Sequence, residues 1–123
     1  IPIFTLHIID LVLKHLLEIG GLAAQEKLNK EKASKLYNIL DQYPTVFNLP
    51  VDKKYRSNMN VVFTIKDGSL DSEFLKAAGE KSLSGLKGHR SVGGMRASLY
   101  NAVSLNSVNL LVDFVKEFGE AHK

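Results

Sequence analysis

The side chains with the clearest capacity for chemistry lie in one stretch, Leu86–Val103, which reads LKGHRSVGGMRASLYNAV. It brings His89, Arg90 and Arg96 together with Lys87, Gly88, Gly93 and Gly94. Guanidinium groups present planar, paired N–H donors that match carboxylate and phosphate oxygens, so this set suits a small anion. Adjacent Gly93 and Gly94 permit a sharp bend and a close approach of backbone to ligand. From Met95 onward, Met95, Leu99, Ala102 and Val103 fall at i, i+4, i+7 and i+8, the spacing of one helix face. The spacing predicts a helix from Met95 with Arg96 in its first turn. An arginine there faces the positive end of the macrodipole, which costs up to about 1 kcal/mol. An anion would offset that cost, and the free N–H groups of the same turn favour one. A solvated surface arginine that falls early in a helix fits the same spacing.

The neighbouring polar residues carry weaker signals. His89 also fits a turn histidine bonded to its own loop, and Arg90 a surface ion pair. Lys87 reads as a solvated residue at a strand end. Ser91 and Ser98 have no histidine–carboxylate pair legible beside them, so a hydrolase has little behind it. Tyr100 and Asn101 fall on the expected helix and read as packing or local hydrogen bonding. His7 and His15 are eight residues apart, more than two turns, with no third ligand near, which favours structural histidines over a metal pair.

The elements that must position the glycine-rich stretch are read from periodicity. Phe4–Ile19 reads as a helix stopped by Gly20-Gly21. Its polar stripe is narrow, His7, Asp10, Lys14 and Glu18, and so wide an apolar arc wants partners on more than one side. Leu22–Tyr43 reads as a second helix with Leu36, Ile39, Leu40 and Tyr43 inward. Glu26–Lys30 and Glu31–Lys35 are i, i+4 pairs on a solvated face. Pro44 and Pro50 flank Val46–Leu49, an edge strand or connection. Met59–Ile65 alternates as a strand with one buried face. Asp67-Gly68 is a turn, and Leu70–Lys81 a helix with Phe74, Leu75 and Ala78 inward. Leu83–Leu86 could be a short strand completing a right-handed β-α-β unit. Ser104 caps a last helix whose Val108, Leu111, Val112, Val115 and Phe118 face inward.

Composition narrows the class. The 123 residues suit one domain with one modest core, and 45% apolar content is ordinary for a globular chain. With no cysteine there is neither a disulfide framework nor a thiolate metal site, which fits a reducing compartment. The net charge is +3 and the isoelectric point about 9.1. The lysines are interspersed with acids rather than grouped with aromatics, so a nucleic-acid surface rests on isoelectric point alone. The apolar N-terminus lacks a basic region and a cleavage site, and Asp10, Lys14 and His15 interrupt it, so it reads as neither signal peptide nor membrane span. The start at Ile1, without methionine and just before a helical run, reads as a cut through a longer protein.

The string GHRSVGGMRASLYNA, Gly88–Ala102, closely resembles the C-terminal signature of the phosphoserine aminotransferase family. RSNMNVVFTI at Arg56–Ile65 resembles that family's R-S-x-M-N-V-x-F strand. IPIFTLHIIDLVLKHLLEIGGLAA at the start is similar to the helix after the family's Thr-Pro-Pro turn, although Ile1-Pro2-Ile3 stands where Thr-Pro-Pro is expected. The resemblance spans essentially the whole chain and only the C-terminal third of such an enzyme.

It implies the small α+β domain (an α/β sandwich) of a fold-type I, class V aminotransferase. Residues 1–20 would be the linking helix from the large domain and residues 21–123 the C-terminal small domain. The full enzyme would be a cytoplasmic homodimer using pyridoxal phosphate to convert 3-phosphohydroxypyruvate and glutamate into O-phosphoserine and 2-oxoglutarate. By position in the motif, Arg96 would bind the substrate α-carboxylate, and His89 and Arg90 the phosphate or distal carboxylate. No lysine here sits in the family's Schiff-base context, and there is no tryptophan to stack the cofactor ring. The expectation is therefore a substrate-recognition half-site, inactive alone and binding no cofactor by itself. Its partners would be the large domain of the same polypeptide, a second subunit and small anionic substrates, with no nucleic acid and no membrane. The alternative is a free-standing, non-catalytic domain that binds an anion or a partner.

Overall fold

The computed structural model describes residues 1–123. The first helix, α1 (Ile3–Glu18), ends where Gly20 and Gly21 take φ of +112° and +80°, values that glycine adopts without a Cβ clash. They turn the chain into α2 (Gly21–Gln42), whose Leu36, Ile39 and Leu40 are buried, with Tyr43 just beyond its end. β1 (Phe47–Asn48) and β2 (Asn60–Ile65) follow, then α3 (Asp71–Glu80), β3 (Met95–Ser98) and α4 (Leu105–His122). The three strands form an antiparallel sheet in the order β1-β2-β3, so the chain is a small α+β domain.

The sheet buries one face. Val61, Phe63 and Ile65 of β2 alternate with the less buried Val62 and Thr64, as the period-2 pattern predicts. Phe47 and Phe63 meet Phe74 of α3, which also packs against Phe114 and Phe118 of α4. α2 lies along α4. Ser104 caps α4, its side chain accepting from the Ser107 N–H at 3.1 Å. The core cluster of 21 residues starts at Ala33 and draws nothing from α1, which has no buried residue and leaves Phe4, Leu6, Val12, Leu13 and Leu17 more than half exposed.

Two expectations are corrected. Met95–Val103 is not a helix: Met95–Ser98 is β3, followed by a turn. Met95, Ala97 and Leu99 are buried while Arg96 is exposed and Ser98 half-buried, a period of two that the i, i+4 spacing of Met95 and Leu99 also satisfies. The parallel β-α-β unit does not form either. Leu83–Leu86 is not a strand, and the chain returns from α3 to pair antiparallel with β3 through a bridge between Lys87 and Met95.

Candidate functional site

The glycine-rich stretch folds as a hairpin. The Gly88 N–H donates to the Gly94 carbonyl and the Arg96 N–H to the Leu86 carbonyl, each at 2.8 Å. At the tip, the N–H groups of Val92 and Gly93 both donate to the His89 carbonyl, at 3.0 and 2.8 Å. Gly93 and Gly94 have φ of +75° and +65°. Gly88 is needed for a different reason: a Cβ there would lie 2.2 Å from the Gly93 carbonyl oxygen. The glycines thus close a tip that presents His89, Arg90 and Ser91 to solvent.

His89 is oriented by its own loop. The Ser91 N–H donates to Nδ1 at 3.2 Å, and Ser91 Oγ lies 2.7 Å from the same nitrogen. A backbone N–H only donates, so Nδ1 is the acceptor and the neutral ring carries its proton on Nε2. The turn histidine that the sequence also allowed is thus formed, and the loop bonds leave Nε2 as the N–H donor.

Arg96 stands directly opposite Val62 on the sheet face that also carries Ser98 and Asn60, whose side chains are hydrogen-bonded at 2.9 Å. Its place on a strand removes the helix dipole from the account of this residue. What remains is a guanidinium at the edge of a cleft of about 430 Å³, walled by Leu86, Leu99, Tyr100, Val103 and Leu111, with Ser107 among the hydroxyls. Neither Arg90 nor Arg96 has a carboxylate within 4.0 Å. Arg56, by contrast, is paired with Asp41 at 3.1 Å and lies over the Tyr37 ring. The hairpin therefore carries two guanidinium groups with no carboxylate partner, Arg90 at its tip and Arg96 on β3, and an imidazole N–H at the tip, donors of the kind that bind anionic oxygens.

Sequence reasoning missed Lys32. It lies in the charged run of α2, read as a solvated face, yet it is fully buried and donates to the carbonyls of Tyr100 and Val103, both at 2.9 Å. Burial pushes its pKa below the ordinary lysine value. No local signal marks it, because its acceptors are 68 and 71 residues away.

The one fully buried lysine is held by two carbonyls, the cationic groups of the hairpin are exposed, and the chain has no tryptophan.

The family model for class-V aminotransferases matches residues 1–111. The chain belongs to the class-V aminotransferases. It is 59% identical over 120 residues to the phosphoserine aminotransferase of Saccharomyces cerevisiae, covering 98% of this chain and 30% of that protein. It is 51% identical over 117 residues to that of Bacillus cereus, covering 95% and 32%. Among solved structures, phosphoserine aminotransferase from Bacillus circulans subsp. alkalophilus superposes with a TM-score of 0.95 at 41% identity, over 99% of this chain and 34% of that one. A pyridoxal-phosphate-bound phosphoserine aminotransferase from Trichomonas vaginalis gives 0.86 at 40% identity, over 94% and 33%. This aminotransferase chain thus spans about a third of the length of the relatives it matches. No helix in it is long and apolar enough to cross a membrane.

Proposed function

We propose that this chain is the substrate-recognition part of a phosphoserine aminotransferase, the enzyme that converts 3-phosphohydroxypyruvate and glutamate into O-phosphoserine and 2-oxoglutarate in serine biosynthesis. The observation that carries the reading is the hairpin, which carries the His89–Arg90 pair at its tip and Arg96 on β3 with no carboxylate on either arginine. Both substrates carry a carboxylate next to the reacting carbon, and each adds a phosphate or a second carboxylate. In this reading Arg96 binds the α-carboxylate, while His89 and Arg90 take the distal group. The divided donor set supports that assignment, because two separated anionic groups need two separated donors.

Pyridoxal phosphate, by the same reading, is held outside this chain, since the residues here suit oxyanions and none forms a ring cradle. The chain alone is then inactive, and its task is to bind and orient the substrate. Residues 1–20 would be the link to the cofactor-binding domain and residues 21–123 the small domain. The exposed apolar surface of α1 supports that division, as does the relatives' greater length. A homodimer and a cytoplasmic setting complete the reading, the second supported by the cysteine-free sequence.

The test is Arg96→Ala in the full-length enzyme. The expected result is a fall in kcat/KM of at least about 100-fold, equivalent to ~2.7 kcal/mol, with both substrates. Unchanged kcat/KM with both substrates would remove Arg96 from the site.

A further inference from the structure

Lys32 occupies an unusual position for a charged side chain. It is fully buried, no carboxylate pairs with it, and two of its N–H bonds go to main-chain carbonyls in the turn that leaves β3. Burying an ammonium without a counter-ion is costly, and only well-placed acceptors offset the loss of water. A buried apolar residue would fill the space without that cost. The Val103 carbonyl would then lose its donor and the Tyr100 carbonyl one of its two, in a turn that has few backbone bonds of its own. The Val103 N–H to Tyr100 carbonyl bond, at 2.9 Å, is the one across it.

The same helix row grips the turn a second time. Gln25 Nε2 donates to Asn29 Oδ1, and Asn29 Nδ2 donates to Asn101 Oδ1, each at 2.9 Å. Gln25, Asn29 and Lys32 follow at i, i+4 and i+7, so one face of α2 clamps Tyr100–Val103. Tyr100 and Val103, whose carbonyls Lys32 holds, are wall residues of the cleft that carries Arg96 at its edge. Where β3 runs into the turn, the Leu99 N–H donates to the Met59 carbonyl at 2.6 Å, just past the last paired residues of the β2–β3 ladder.

We propose that Lys32 is a positioning residue for substrate binding: through the Tyr100 and Val103 carbonyls it fixes part of the wall of the cleft that Arg96 also lines and so sets the affinity for the carboxylate that Arg96 binds. The inference rests on the reading of Arg96 given above. Lys32 touches no substrate and moves no proton; it acts through the turn. Because the turn follows the strand that carries Arg96, loosening it changes the shape in which the anion is received, leaving the reacting atoms to residues elsewhere.

Steady-state kinetics of the full-length enzyme test this, with Lys32→Met, Asn29→Ala and Arg96→Ala compared with the parent. The expected result for Lys32→Met is a KM for glutamate raised about tenfold with kcat held within about twofold, the signature of lost ground-state and transition-state binding in equal measure. Asn29→Ala, which removes the Asn101 contact while leaving Lys32 on its two carbonyls, should raise KM about two- to threefold. A Lys32→Met enzyme that melts earlier but keeps the parent KM would make the residue purely structural and overturn the inference. Should Lys32→Met fail to fold, an Asn29→Ala enzyme with the parent KM overturns it instead. Arg96→Ala separates the two levels: a parent-like KM there removes the reading of Arg96 itself, and the inference with it.

Discussion

Gly94 lies against Thr64 so closely that a Cβ on the glycine would come within 2.7 Å of Thr64 Cγ2 and 2.9 Å of the Phe63 carbonyl oxygen. The contact continues the β2–β3 register, in which Phe63 faces Met95, by one more residue toward the hairpin tip. Gly93, one position earlier, has a similar positive φ and open space around it. Gly93→Ala should therefore cost only the left-handed backbone term, about 1–2 kcal/mol. Gly94→Ala should add an overpacking term of about 1–3 kcal/mol. Denaturant titration of the two variants measures the difference, and equal losses would mean the tip does not press on β2.

The tip and the strand should separate in substrate preference. His89→Ala removes an N–H donor that the loop has already oriented, without touching Arg96. In the full-length enzyme it should lower kcat/KM for the phosphorylated substrate about tenfold more than for glutamate, since a doubly charged group gains more from each donor. Measuring both substrates with the same variant checks this, and parallel losses would count against a division of labour between tip and strand.

Phe74 is the hub of the core. Its ring lies 4.9 Å from Phe114, 5.0 Å from Phe118, 5.9 Å from Phe63 and 6.3 Å from Phe47, joining α3, α4 and the sheet. Phe74→Ala should cost about 3–5 kcal/mol, the range for an aromatic lost from a packed interior. Phe74→Leu should recover a good part of that. Chemical denaturation reads both, and a loss below about 1 kcal/mol for the alanine would show that the neighbouring rings collapse into the space.

Lys123 and, after it, Tyr43 hold the Glu120 carboxyl below its usual pKa, and the hydrogen bond to Glu120 in turn raises the Tyr43 phenol. The Glu120 contribution to stability is present above the ordinary carboxylate pKa and is lost as pH falls through the depressed value. The Tyr43 contribution runs the other way: it is present below about pH 10 and is lost as pH rises through the elevated phenol pKa. Tyr43→Phe should bring the Glu120 midpoint part of the way back up, Lys123 retaining the rest. Carbon-detected NMR titration of Glu120 follows the midpoint; no movement would mean that the 2.6 Å bond between the two side chains is not formed in solution.

Much of this fold was legible because its helices and β2 bury residues at intervals that only one element type produces. Leu36, Ile39 and Leu40 lie on one helix face, and Val61, Phe63 and Ile65 on one strand face. Met95 and Leu99 were ambiguous, since residues four apart share a face in a strand as well as in a helix. What decided between them was the pairing of Gly88 with Gly94, a contact across the hairpin that no window beginning at Met95 contains. His89, Arg90 and Arg96 could be singled out from their chemistry and from family resemblance, but the absence of counter-ions on the arginines is a matter of three-dimensional neighbours. Lys32 was illegible for the same reason. Charge in a helix reads as solvent exposure until a distant turn arrives to accept its protons.

Every residue of the core cluster lies beyond Gly21, so the packed interior takes nothing from α1. With that interior closed, the Phe4, Leu6, Val12, Leu13 and Leu17 side chains still face water. A finished core that carries such an adhesive arm is open to concentration-dependent association.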